Sequence, residues 1–282
     1  MLYWTYIFFA NLIKTIKWFV VNFILNYNVI NISLIGTGRL SFNLMNEILD
    51  NKSLSLNQIY GRSKFRPKNI SDQIEYIKEI KNLKKSDFYF IAVSDIEIET
   101  ISNKINSYDG IVIHLSGSTN INVLSIHKNH GVFYPLQTFS YDSNLSFKQI
   151  PILIEANSKI NLSKIKKLAD IFSKKVYKMN SSKRLVCHIS ATIANNFSNH
   201  MIVSAEKILE ENKINKSIIK PLIFETFNKL NKMSAKDAQT GPALRNDYIT
   251  IEKHLKQLVN SDFLDLYKDC LLYTSDAADD FT

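Results

Sequence analysis

At 282 residues, with 45% hydrophobic and 22% charged residues, the chain is long enough for two domains with cores of their own, which excludes a disordered or fibrous protein. A net charge of +9 and a pI near 9.3 raise nucleic acid or an anionic membrane as partners, but the positive residues are mostly Lys scattered among Asn and Ile, without an aromatic-interleaved basic stripe. They read as a solvated coat, so no nucleic-acid partner is expected, while an anionic cofactor or substrate stays compatible with the excess. Cys187 and Cys270 match no metal or redox spacing, and a reduced, cytoplasmic setting is the expectation. His127 and His130 have no acidic or thiol companions and read as a surface turn; no metal is expected.

Residues 1–28 are rich in aromatic and aliphatic side chains, but Lys14 and Lys17 split the apolar run into halves too short to span a bilayer comfortably. Three readings stand for them: a start placed too far upstream, a membrane-associating or signal-anchor segment, and an accessory helix. A membrane partner is not the expectation. From Asn31 to Asp50 the pattern is strand, tight turn, helix: Ile32, Leu34 and Ile35 run together, Gly36-Thr37-Gly38 breaks the run, and Leu40, Leu44, Ile48 and Leu49 recur at helical spacing. Gly36, Gly38 and Ser41 occupy the three small-residue places of a dinucleotide fingerprint, whose helix N-terminus faces phosphates. An ordinary tight turn between a strand and a helix would carry the same pattern.

A second strand, Leu56 to Tyr60, ends in Gly61-Arg62-Ser63-Lys64, where an NAD site would place an acid on the ribose. Arg62, Ser63 and Lys64 suit a 2′-phosphate instead, against the alternative of a solvated basic turn. Ile70 to Leu83 reads as a helix with Ile74, Ile77 and Ile80 on one side. Phe88 to Val93 is a buried-type strand followed by Ser94-Asp95 and a helix through Ile105, and Gly110 to Leu115 is a further strand ending in Ser116-Gly117-Ser118. Gly131 to Tyr134 and Ile152 to Ala156 would extend the sheet. This alternation predicts a parallel sheet with ligands at its C-terminal strand ends, where Gly36, Ser94 and Ser116 all fall.

From about Leu162 long helices are predicted. Between Lys183 and Glu211, His188, Thr192, Asn195 and Asn199 recur at four, three and four residues and form one polar stripe. It is either a solvated face or, because it carries no Lys or Glu, part of a cleft or subunit interface. Pro221 to Asn228 continues a helix; Gln239 to Asp247 interrupts, with Asp247 capping the next helix. Arg245 reads equally as a substrate-carboxylate ligand or a structural ion-pair partner. Residues 270–280 look like the translation of a sequencing adapter, so the tail 270–282 is set aside from the fold.

HLSGS at His114 to Ser118, GVFYPLQTFS at Gly131 to Ser140, HISATIANNFSNH from His188, PLIFET from Pro221 and TGPALRND at Thr240 to Asp247 together resemble the Rossmann-like proteins that carry a C-terminal domain of unknown function 2520, over about Ile30 to Tyr267. Such proteins are similar to pyrroline-5-carboxylate reductase and the 6-phosphogluconate dehydrogenases. The resemblance implies an α/β fold, with an N-terminal Rossmann-type parallel sheet domain (29–157) followed by an all-α C-terminal domain (158–269) for substrate and dimerisation. It implies NADP on Gly36, Thr37, Gly38, Arg39, Leu40 and Ser41, with Arg62 and Ser63 near the adenosine phosphate and Ser94, Asp95, Ser116 and Gly117 near the nicotinamide. The hydroxyacid dehydrogenases place a catalytic Lys four residues before an Asn on the long helix; this chain has Ala191 and Thr192 there, so that chemistry is not carried over.

Two functions are weighed. One is an NADP(H)-dependent oxidoreductase of a small C=N or C=O substrate in the cleft between the domains, with His188 as proton donor, Asn195, Asn199 and Gln137 orienting the substrate, and Arg245 and Thr240 binding it. A satisfied interface histidine is the competing reading of His188. The other function is a non-catalytic dimeric nucleotide-binding sensor or scaffold. A homodimer is expected in either case.

Overall fold

The computed structural model of the chain describes residues 29–63, 66–68, 70–142 and 145–279, with side chains as far as 272. The expectations for residues 1–28, for Lys64 and for the end of the tail lie outside the described residues. Two compact units meet in the chain at Thr192/Ile193.

The first unit is built on one eight-stranded sheet in the order β3-β2-β1-β4-β5-β6-β7-β8. Its strands are β1 (Ile30–Ile35), β2 (Leu54–Tyr60), β3 (Glu75–Ile77), β4 (Phe88–Ile91), β5 (Ile111–His114), β6 (His130–Pro135), β7 (Ile152–Ala156) and β8 (Val176–Lys178). All neighbours are parallel except β6 and β7, which run antiparallel. The parallel part needs cover on both faces, and the sequence supplies it: Phe88, Tyr89, Phe90 and Ile91 are all buried, without the alternation of a half-exposed strand. Leu34 and Phe90 join one apolar cluster while their neighbours Ile35 and Ile91 join a second, as side chains alternating across a sheet must. Phe133 anchors the first cluster, 5.2 Å from Phe90 and 5.4 Å from Phe172 between ring centres.

Helix α1 (Arg39–Leu49) follows β1 directly, and α2 (Ile98–Ser102) follows β4. That second helix is shorter than the sequence pattern suggests, because a 3₁₀ turn over Asp95–Glu97 takes its first residues. The helix expected over Ile70 to Leu83 is not there. Ile70, Ile74 and Ile77 are buried, as that pattern demands, but the segment forms turns, strand β3 and a 3₁₀ turn at Ile80–Asn82. Arg66 explains the difference: its guanidinium donates to the carbonyls of Ile70, Ser71 and Ile74, holding the backbone in turns that satisfy these oxygens without helical winding.

The sequence reading set a domain boundary after residue 157; the first compact unit runs on to Thr192. Helix α3 (Lys159–Phe172) packs Ile165, Leu168 and Phe172 into the sheet's own core, and β8 adds to its edge. Helix α4 (Ser181–Ala191), capped by the Asn180 side chain on the N–H of Lys183, also belongs to this unit. Thr192–Phe197 is π-helical, so the unbroken α-winding assumed for the stripe from His188 to Asn199 does not hold. His127 and His130 are buried rather than placed on a surface turn. The Nε2 of His127 lies 3.0 Å from both the carbonyl and the hydroxyl of Ser102, and Nδ1 of His130 lies 2.7 Å from the carbonyl of His127.

The second unit is all-α: α5 (Ser198–Glu211), α6 (Lys220–Lys229), α7 (Tyr248–Gln257) and α8 (Leu264–Asp279). Pro221 sits in the first turn of α6, where its missing N–H costs no bond. Asp247 caps α7 by accepting from the backbone N–H and hydroxyl of Thr250, bonds that hold its carboxyl below the usual range. Among the described residues of this unit only Ser204 is buried, while Leu222, Phe224 and Ile249 are each about two-thirds or more exposed (68%, 67% and 71%).

Candidate functional site

The strand order reverses between β1 and β4, and in open sheets of this kind ligands bind outside the carboxyl ends of the strands at such a switch point. A cavity of about 270 Å³ opens there, lined by Gly36 to Gly38, Gly61 to Ser63, Ala92 to Ser94 and Glu97. Gly36 has φ +124°, a conformation that disfavours side chains, and a Cβ on it would run into the carbonyl of Ala92. Backbone bonds fix it: its N–H reaches the Tyr60 carbonyl at 2.8 Å, and the Ala92 N–H reaches the Ile35 carbonyl at 2.7 Å. Ser41 is buried with its hydroxyl donating 2.7 Å to the Gly36 carbonyl, so the small third residue ties helix to turn as well as letting them approach.

Gly38 differs in kind. A Cβ there would meet nothing within 4 Å, and no side chain caps the helix that begins after it. The first N–H groups of α1 are therefore presented to open space with the positive end of the helix dipole behind them, which is what a pyrophosphate requires. Thr37, Arg39 and Leu40 lie on the same turn, Arg39 exposed and the others half-buried. The residues present thus fit a dinucleotide.

Arg62 and Ser63 border this cavity. The structure also brings in an acid that sequence proximity did not reveal: Glu97, from the turn after β4, lies 3.5 Å from the exposed Arg62 guanidinium. So loose and solvated a pair is worth under about 1 kcal/mol, and Arg62 can leave it for another anion at little cost.

A second cluster lies at the ends of β4, β5 and β6. The Asp95 carboxylate accepts from the Ser118 hydroxyl, and the Ser116 hydroxyl accepts from the N–H groups of Ser118 (3.1 Å) and Thr119 (3.0 Å). Ser94 starts the 3₁₀ turn that carries Asp95. Against Gly117 rest two rings: a Cβ at this position would lie 2.6 Å from His188 Nδ1 and 2.7 Å from Tyr134 Cζ. Tyr134 Oη and His188 Nδ1 are 3.0 Å apart, the rings meeting edge to face at 72°. Burial, with the negative charge of Asp95 nearby, pushes the Tyr134 phenol up to about 12, so it keeps its proton throughout the physiological range.

Beneath this pair, Arg184 is almost wholly buried (1% exposed) and binds the Glu155 carboxylate, the Thr119 carbonyl and the Ser181 hydroxyl. Ser181 also donates to Glu155 at 2.8 Å and accepts from the Ile121 N–H at 3.1 Å. This network pins the first turn of α4 to the loop after β5, and His188 is one turn further along that helix. His114, fully buried, accepts the Ser116 N–H on Nδ1. Burial, reinforced by Arg184 and His130, lowers its imidazole to about 3, so it is neutral, with Nε2 the protonated nitrogen and without a partner among the described residues.

Gln137 is exposed in the loop after β6, its side chain accepting from the Thr138 N–H. Asn195 and Asn199 belong to the second unit; both are exposed, and Asn195 donates to Asn196. Thr240 and Arg245, also in that unit, are exposed in the turn before α7, where Gly241 has φ +120° and Asn246 φ +53°. Sequence reasoning missed Tyr134, Glu97, Arg184 and Glu155. The rule that selected Ser94 and Ser116, position at a C-terminal strand end, applies equally to Tyr134 near the end of β6. Nothing in the sequence marks Arg184 as buried among so many surface cations.

The domain of unknown function DUF2520 matches residues 150–274. The chain is 30% identical to a "putative NADP oxidoreductase" of Bacteroides fragilis, covering 89% of this chain and 100% of that one with a TM-score of 0.80. It is 22% identical to a Thermotoga maritima protein (88% and 99% covered, TM-score 0.75) and 16% identical to the Plasmodium falciparum pyrroline carboxylate reductase solved with NADP bound (88% and 98%, TM-score 0.58). No curated protein matches it. With the switch-point cavity, the sheet order and the helical second unit in the same chain as these matches, the protein belongs to the family of Rossmann-type proteins that end in DUF2520.

Proposed function

We propose that the protein is an NADP(H)-dependent oxidoreductase acting on a small C=N or C=O substrate. The observation that carries this reading is the bare phosphate cradle at Gly36–Gly38, set at the same C-terminal strand ends of the sheet as a hydrogen-bonded Tyr134–His188 pair. The first is a binding device for a dinucleotide and the second is chemistry that a pure binding module does not need. In support, the 30%-identical Bacteroides fragilis protein is described as an NADP oxidoreductase, and an imine reductase of Streptomyces aurantiacus shares the fold at TM-score 0.59.

In this reading the α1 N-terminus with Gly36, Thr37, Gly38, Arg39, Leu40 and Ser41 holds the pyrophosphate, and Arg62 and Ser63 take the 2′-phosphate. Ser94, Asp95, Ser116 and Gly117 border the nicotinamide. Bound nicotinamide supplies a hydride. The chain's own residues exclude water, orient the acceptor and deliver a proton, with His188 as its source. Gln137, Asn195, Asn199, Thr240 and Arg245 are proposed to position the substrate. The exposed Leu222, Phe224 and Ile249 suit a homodimer through the helical unit, and two cysteines at unrelated spacing suit a cytoplasmic setting.

Calorimetric titration of the full chain with NADPH and with NADH tests the reading. Tighter binding of NADPH, followed by its consumption with a cyclic imine or a keto acid, is the expected result. Tight binding without consumption across a broad panel points to a nucleotide-binding sensor; no binding of either cofactor by the folded protein ends the oxidoreductase reading.

A further inference from the structure

We propose that Tyr134, not His188, is the group that presents the proton to the substrate, and that His188 resupplies it through the contact between Tyr134 Oη and His188 Nδ1. This rests on the reductase reading above and assigns the proton path within that same site.

A phenol has one proton and an imidazole nitrogen can either accept or donate, so the 3.0 Å contact has two states. With His188 neutral, the phenol donates to Nδ1, and the remaining imidazole proton is on Nε2. With His188 protonated, Nδ1–H donates to the phenol oxygen and the phenolic proton is turned outward. Protonation of the imidazole thus converts Tyr134 from a donor engaged within the protein into a donor available to a ligand.

Gly117 confines the pair to this geometry. Any side chain there would displace the imidazole or the phenol, since its Cβ would stand 2.6 Å from the one and 2.7 Å from the other. The electrostatic surroundings keep the phenol protonated. Burial is the largest contribution, Asp95 and Cys187 add to it, and Arg184 opposes them. The hydroxyl of Tyr134 bonds to His188, while the Asp95 carboxylate accepts from the Ser118 hydroxyl.

For an imine the step balances without a further reactant. A bound reduced nicotinamide would supply the hydride for the new C–H bond as the C=N π bond opens onto nitrogen. The Tyr134 O–H bond breaks as the N–H bond forms, and the Nδ1 proton of His188 passes to the phenol oxygen; the pair is recharged when Tyr134 hands that proton back to Nδ1 and its oxygen takes a proton from water, Nε2–H staying in place throughout. The net change is imine, reduced nicotinamide and one proton to amine and oxidised nicotinamide.

The test uses the full chain in which the histidines carry ¹⁵N, as wild type, Tyr134→Phe and His188→Gln, with NADPH binding followed by calorimetry and turnover with a cyclic imine. In the wild type the neutral His188 ring should hold its proton on Nε2 with Nδ1 bare. Tyr134→Phe should shift the Nδ1 resonance by removing the hydrogen bond it accepts, lower kcat roughly a hundredfold and leave NADPH affinity within about twofold. Both variants should share that kcat loss, and the double variant should be no worse than either single one, because the two groups act as a unit. His188 nitrogens identical in wild type and Tyr134→Phe, or an undiminished kcat in Tyr134→Phe, overturn the proposal while leaving the reductase reading in place. Failure of the wild type to bind NADPH, or to turn over any imine or carbonyl with NADPH bound, overturns the reductase reading and the proton path with it.

Discussion

The sheet unit and the helical unit spend their apolar residues in opposite ways. In the first, β4 is buried along its whole length and Phe90, Phe133 and Phe172 interlock at 5.2 and 5.4 Å. In the second, Leu222, Phe224 and Ile249 face outward and Ser204 is the sole buried residue among those described. A single chain can thus join a unit stabilised by its own core to one whose apolar surface has yet to be covered. The first can hold a site to fractions of an ångström, and the second is suited to association.

The largest effect that would sharpen this contrast is expected from Arg184→Ala. It leaves Glu155 half of a broken buried pair and should destabilise the sheet unit by about 3–5 kcal/mol in denaturant unfolding. A loss below about 1 kcal/mol would mean that this unit is no more tightly specified than its partner. Gly36→Ala comes next, at about 3 kcal/mol for a side chain forced to positive φ against the Ala92 carbonyl. Its neighbour Gly38→Ala should change stability by less than about 1 kcal/mol yet weaken NADPH binding at least about tenfold, because the space it fills belongs to the ligand.

Acid should also act on the first unit. His114 is lowered to about 3 in the fold against an ordinary 6.5, so below 6.5 the unfolded chain takes up a proton that the native one refuses. The stability it confers is complete above pH 6.5 and drains away as pH falls toward 3, by about 1.4 kcal/mol per pH unit. His114→Gln should flatten that slope in pH-dependent unfolding. Arg62→Ala should leave stability unchanged and cost NADPH about tenfold in affinity, with NADH unaffected, a selectivity that calorimetry reads directly. The smallest effect is expected from Phe224→Ser, under about 0.5 kcal/mol in a dilute monomer because the side chain is already in water. If the helical unit pairs two chains, sedimentation should instead show the dimer dissociating.

The same contrast governs what could be read from the residues alone. The turn at Gly36 and Ser41 was legible because a backbone at positive φ against the Ala92 carbonyl, with a helix tied closely to it, admits so few residue types. The strands around them were legible because a parallel sheet buried on both faces leaves uninterrupted apolar runs. Ile70, Ile74 and Ile77 misled: their spacing is that of a helix face, and only the reach of Arg66 to three carbonyls explains why the backbone turns instead. His127 and His130 looked like surface residues because the Ser102 groups that satisfy His127 come from a distant helix end. Tyr134 and Arg184 depend on partners brought together from separate strands and loops, which no local pattern encodes. The polar stripe from His188 to Asn199 assumed regular winding, and the π-helical stretch at Thr192–Phe197 removes that assumption.

The antiparallel return of β7 onto β6 has a kinetic meaning. Joining β1 to β4 requires closing a long stretch of chain, with Asn31 and Asp87 meeting across 56 positions, whereas Pro135 and Ile152 meet across only 17 positions and α3 follows at once. Loop closure is entropically easier for the second arrangement, so we expect β6, β7 and α3 to gather around Phe133, Phe147 and Phe172 before the nucleotide-binding half has formed. Pulse-labelled hydrogen exchange that protected β1 and β4 first would contradict this order. The half of the sheet that carries Tyr134 would then serve as the template on which the Gly-rich turn is assembled.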